Sequence, residues 1–120
     1  MGISTTAFSV PVTYRITKDD DTEATARNNA TGSSGTLYSV EVIGIGGADV
    51  YLKIYDSIST TTGTTVPYLI LFCRQNTRYT CHIPSGLTFS SGISFACTTE
   101  AGVAGTSSPG SSVIVHIVST

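Results

Sequence analysis

Tryptophan is absent from the 120 residues, methionine occurs once, and lysine and arginine together number six. Charged residues are 12% of the chain, about half the ~25% usual for a globular domain. With a net charge of −2, the chain has none of the basic footprint that nucleic-acid binding needs, so no nucleic acid is expected as a partner. No apolar run approaches the ~18 residues of a membrane helix. The opening Met1-Gly2-Ile3-Ser4-Thr5-Thr6 lacks the basic and apolar regions of a signal peptide, and neither a membrane nor a secretory route is expected. Helical periodicity is missing as well: no stretch of about 12 residues carries an apolar stripe at i, i+3, i+4 and i+7.

What is present suits strands and turns. The sequence holds 20 Thr, 16 Ser and 12 Gly, with 40% hydrophobic residues. The apolar share is ordinary, so the chain has enough to build one core and is not expected to be disordered. At this length it is expected to form a single domain spanning 1–120.

A first strand is read over 8–17, where Phe8, Val10, Val12, Tyr14 and Ile16 alternate with polar residues as on a half-buried strand. Pro11 lacks an N–H, which places this strand at a sheet edge. The stretch 18–35 holds four acids, two bases and no large apolar residue, and is expected to be a long, solvated polar loop. Its run of Asp19, Asp20 and Asp21 lacks the alternation and terminal Glu of a calcium loop, so no metal is expected there. Further strands are expected over 36–44, 50–56, 66–73, 77–83, 93–99 and 112–118. Pro84-Ser85-Gly86 and Ser91-Gly92 read as breakers. About seven to eight strands separated by turn signals predict an all-β fold, an antiparallel β-sandwich of jelly-roll or Greek-key type.

Two of these strands are apolar on both faces: 66–73, with Tyr68 to Phe72 in succession, and 113–118, Val-Ile-Val-His-Ile-Val. One face of a sandwich strand meets the core. The other must be covered by a loop, a second subunit or a larger partner. On 50–56, Val50, Leu52 and Ile54 share one side, and Tyr51, Lys53 and Tyr55 the other. Tyr51 and Tyr55 are therefore candidates for a surface aromatic face of the kind that stacks on a sugar; packing against cross-strand neighbours is the competing expectation.

Catalytic chemistry finds little support. His82 follows Cys81, but neighbours in a strand point to opposite faces. Neither histidine has a serine in a nucleophile elbow, and no pair of carboxylates is suited to acid–base work. Cys73, Cys81 and Cys97 match no metal spacing and are expected as reduced thiols, with a Cys73–Cys81 bridge as the alternative. No enzyme, cofactor or metal is expected.

The segments Val50-Tyr51-Leu52-Lys53-Ile54-Tyr55-Asp56, Gly63-Thr64-Thr65-Val66-Pro67 and Pro84-Ser85-Gly86-Leu87-Thr88-Phe89-Ser90-Ser91-Gly92-Ile93-Ser94, followed by Thr98-Thr99, carry a resemblance over roughly 37–118. In this order they resemble small virion structural proteins of tailed bacteriophages, especially those of marine and cyanobacterial hosts. The resemblance implies a β-sandwich on the phage particle, and the size suggests a capsid decoration (cement) protein. Such a protein would be made in the host cytoplasm, carried on the capsid exterior, and bound to the major capsid protein, as a homo-oligomer with a trimer favoured. The cysteines and the Arg74 to Arg78 stretch stand outside the shared pattern. Contacts are expected from the N-terminal arm, 1–7, and from loop tips. Leu69, Leu71, Ile114 and His116, on the doubly apolar strands, are candidates for a subunit or capsid interface. The alternatives are a tail, fibre or knob component that meets the host surface, and a carbohydrate-binding module.

Overall fold

The computed structural model describes residues 14–120. The expected arm at 1–7 and the Phe8, Val10, Val12 part of the first strand lie outside the described residues. Among the described residues, seven antiparallel strands form two sheets: β1 (Arg15–Asp19), β2 (Gly35–Gly44), β3 (Val50–Asp56), β4 (Leu69–Cys73), β5 (Arg78–Phe89), β6 (Ile93–Thr98) and β7 (Val113–Ser119). The first sheet has the order β1-β7-β2-β5 and the second β4-β3-β6. The inward faces meet in one core that includes Leu37, Val40 and Val42 from β2, Leu52 and Ile54 from β3, Phe95 and Cys97 from β6, and Val115 and Ile117 from β7. The β-branched and aromatic residues that predict strands here are also those that fill the space between the sheets.

The stretch expected to be a solvated loop is a strap. Strand β1 takes its first residues, to Asp19, and the remainder crosses to the second sheet and lies along the outer edge of β6. Arg27 N donates to Phe95 O (2.8 Å), Phe95 N to Arg27 O (3.2 Å), Ala30 N to Ile93 O (2.8 Å) and Cys97 N to Glu23 O (2.8 Å). Thr22 N reaches β7 in the other sheet, at Val113 O (2.9 Å). Hydropathy misses this segment because its backbone, not its side chains, makes the contacts, and small Thr and Ala residues such as Thr22 and Ala24 let it lie close. With the strap beside β6, the second layer reads strap-β6-β3-β4. This gives two layers of four, with the connectivity of a jelly roll whose eighth strand has become irregular.

Strand β5 runs through Pro84-Ser85-Gly86, which is not a breaker. Between the pairs Leu37–Leu87 and Ser39–His82, β2 contributes only Tyr38 while β5 contributes Ile83 to Gly86. The extra residues bulge out of the ladder, so the missing N–H of Pro84 costs no hydrogen bond. Gly86 sits at φ +79°, and a Cβ there would collide with Thr36 Cγ2.

The β1 edge position inferred from Pro11 holds for the described part, since β1 pairs only with β7. Its apolar face does not enter the core, however: Ile16 is 79% exposed and Tyr14 56%. All three cysteines are free thiols, Cys73 and Cys97 buried and Cys81 half-buried. The Cys73–Cys81 alternative is thereby corrected.

Candidate functional site

Strand β3 has both faces buried. Val50, Leu52 and Ile54 point into the core, and on the far side Lys53 and Tyr55 are fully buried too. The expected Tyr51 and Tyr55 surface face does not exist. Two loops cover it, 57–65 and 99–110, and they touch where Gly63 meets Thr106. Lys53 Nζ donates to Gly102 O (2.6 Å) and Gly105 O (3.3 Å), so the amine ties the second loop down. Burial pulls this amine below the usual lysine range, with Glu100 acting in the opposite direction. Glu100 in turn accepts from Ser107 N (2.9 Å) and closes the same loop. Replacing Lys53 with alanine leaves both carbonyls without their donor. It is expected to lower stability by about 1–3 kcal/mol, read as a lower urea midpoint, and to speed proteolytic cutting within 99–110. An unchanged cutting rate would show that the loop is held by something else.

This cover ends at β3 and leaves the outer half of β4 bare. Ile70 is 40% and Phe72 46% exposed, with Tyr68 and Val66 exposed just before them. Tyr51 stays half-buried because its ring packs on Phe72 at 5.3 Å. Across the gap between the sheets, Tyr79 of β5 is exposed at the same side. β4 and β5 are both edge strands. The strap thus covers the β6 edge of the second sheet, and the opposite side of the sandwich presents two free strand edges beneath a band of aromatic and aliphatic side chains. Arg74 and Arg78 lie at the β4–β5 turn beside a shallow groove formed with Ile70, Phe72 and Tyr79.

The interface candidates fall differently on the two strands. On β4 the alternation is opposite to that expected: Leu71 is a core residue, Leu69 packs against the core, and the outward residues are Ile70 and Phe72. A strand apolar on both faces contains no signal for which parity faces in. On β7, Ile114 and His116 lie half-buried on the outer face of the first sheet. His116 Nδ1 is 3.3 Å from Glu41 Oε1, and Arg78 Nε is 3.7 Å from the other oxygen of the same carboxylate. Ser39 Oγ lies 3.3 Å from His82 Nδ1, while Cys81, on the other face of β5, packs toward the core.

The acidic run is engaged in pairs. Asp19 accepts from Arg27 Nε at 2.8 Å, and Lys18 Nζ lies 3.5 Å from Asp20. Burial works to raise the Asp19 pKa, but hydrogen bonds from Arg27 and from Asp21 and Thr22 outweigh it and hold the carboxyl below its usual value. Among the described residues, no three His, Cys, Asp or Glu side chains cluster closely enough to hold a metal ion. The Asp56 carboxylate is structural: it accepts from Ser91 N (2.9 Å) and from Ser90 N (3.2 Å), closing the β5–β6 turn. A cleft of about 210 Å³ between the 44–50 turn and 109–113 is lined by Gly, Ala, Pro, Val, Ile and Ser and carries no titratable side chain.

No family model, no curated protein and no solved structure matches the chain.

Proposed function

We propose that this chain is a structural protein of a tailed-phage virion, a decoration protein that grips the major capsid protein from outside and stabilises the lattice. The observation that supports this most is the bare β4 face. A small monomeric domain gains nothing by exposing Tyr68, Ile70 and Phe72 together, whereas aromatic side chains are enriched where proteins dock. The jelly-roll connectivity is compatible with the reading, because that architecture serves in viral capsid and lectin domains alike; by itself it does not choose between them. The carbohydrate alternative has lost its Tyr51 and Tyr55 platform, since Tyr55 is buried. Many copies on a lattice need little affinity each, because neighbouring contacts add.

The test is immuno-gold labelling of the phage particles with antibody raised against the purified chain. Label is expected all over the head. Label confined to the tail tip would favour the fibre or knob reading, and unlabelled particles would remove the virion role. In a companion binding assay, Ile70→Ser with Phe72→Ser is expected to weaken attachment to heads by about tenfold or more, as loss of central aromatic anchors does. The fold should persist, because both side chains already face solvent.

A further inference from the structure

We propose that the first sheet continues from copy to copy, with β5 of one molecule pairing beside β1 of a second in a head-to-tail contact. The inference builds on the assembly reading above and adds a partner for edges that reading leaves unused.

The two outer strands of the first sheet are β1 and β5, and among the described residues both have an unpaired side. Free edges of this kind are templates for another strand. Within the sheet every neighbouring pair is antiparallel, so β1 and β5 run in opposite directions. A second copy rotated about an axis along the strands therefore sets its β1 antiparallel to β5, and the hydrogen-bonding pattern of the sheet carries on across the junction.

The registers make the chemistry of that junction specific. Reading across the strands, Asp19 is level with Val115, Val42 and Tyr79, and Ile16 is level with Val118, Ser39 and His82. One step beyond the end of β1, continuing its register would place Asp20 level with Ile114, Ile43 and Arg78. Kept at the same level, the neighbour's Asp20 comes beside Arg78 and its Ile16 beside His82. Ile16 and His82 lie on the outer face, because side chains alternate along each strand, and the Asp20 and Arg78 side chains are both exposed.

Charge agrees with the rows. The β1 end carries Asp19, Asp20, Asp21 and Glu23 against Arg15, Lys18 and Arg27, whereas the β5 end carries Arg74 and Arg78 with no acid of its own. Two of the ion pairs at these ends are loose, 3.5 Å for Lys18 with Asp20 and 3.7 Å for Arg78 with Glu41, and easily exchanged in water, while Asp19 stays with Arg27 at 2.8 Å. Ile16, 79% exposed on an edge strand, gains the His82 ring as a neighbour in the continued sheet. The surface used at one edge differs from that at the other, so the contact is heterologous. Such a contact closes into a ring or runs on as a filament.

The experiment is the solution mass of the full chain by light scattering over a range of concentrations, with two charge-reversed variants. Arg78→Glu spoils the β5 edge and Asp20→Arg spoils the β1 edge; both positions are solvent-facing, so both variants should fold. Wild type is expected to self-associate, with a mass above that of the single chain. Each variant alone should be monomeric, with self-association weakened by about tenfold or more. An equimolar mixture should regain the wild-type mass, because one junction keeps the original charge pair and the next carries it reversed. The double variant should regain the wild-type mass. Wild type that stays monomeric, or an oligomer whose variants do not rescue each other on mixing, overturns the head-to-tail pairing. Gold label on the heads would then still support the decoration role, so the two readings fail separately.

Discussion

Replacing Phe95 with alanine is expected to lower the unfolding free energy by about 3–5 kcal/mol, the range for truncating a buried aromatic side chain. Phe95 is 1% exposed and lies at the centre of β6, every residue of which is buried. Its backbone is fixed on both sides, by β3 through the Ile54 pairing and by the strap through Arg27. The strand therefore cannot shift to fill the space the ring leaves, and the cavity term is felt in full. Against the ~5–15 kcal/mol typical of a domain, such a loss takes a large share of the total. In urea, with a slope of about 1–3 kcal/mol per molar, the midpoint should fall by more than about 1 M. A fall below about 0.3 M would mean that this ring is not the centre of the core.

Alkaline unfolding should be governed by Cys97. Burial, reinforced by the nearby Cys73, pushes its thiol up to about 12 from a usual value of 9.0. In the unfolded chain the thiol ionises above 9.0, whereas in the folded chain it holds its proton, so the folded state binds more protons and loses stability as pH rises through this window. At about 1.4 kcal/mol for each unit, the loss is on the order of 4 kcal/mol by pH 12. Tyr55, whose hydroxyl is also raised by burial, acts with the same sign. Lys53 opposes them, because a lowered amine pKa means stability is regained as pH rises toward the unfolded value of 10.5. The expected net result is a steep fall of the urea midpoint above about pH 9.5, flattened in Cys97→Ala even though that variant starts from a lower midpoint. An equally steep fall in Cys97→Ala would show that another group carries the effect.

Much of the fold is legible in the residues that alternate. Val50, Leu52 and Ile54 on β3, and Val113, Val115 and Ile117 on β7, follow the simple rule that every second residue faces the core. The parts that escape share a cause: they depend on backbone contacts or on cover from distant loops. The strap offers no apolar pattern because Arg27 and Ala30 bind through N–H and C=O groups. Lys53 and Tyr55 look solvent-facing by alternation, and only the loops at 57–65 and 99–110 bury them. Pro84 reads as a breaker because a bulge is invisible in composition. The candidate site is partly legible. The doubly apolar run at 66–73 marks the strand that stays bare, but continuous hydrophobicity hides that Ile70 and Phe72, not Leu69 and Leu71, face outward.

The strap also bears on the order in which the molecule can assemble itself. Strand β1 pairs with β7 alone, Arg15 opposite Ser119, and the strap is pinned to Val113, Ile93 and Phe95. Strand β1 and the strap thus have almost no stable partner until β6 and β7 have been synthesised. Contacts between segments so far apart in sequence form slowly, and the sandwich should mature only after β7 is made, closing on the strap side last. A nascent chain waits in the meantime with its strand edges unprotected, and the scarcity of hydrophobic residues in the strap helps keep that waiting segment from sticking to its neighbours.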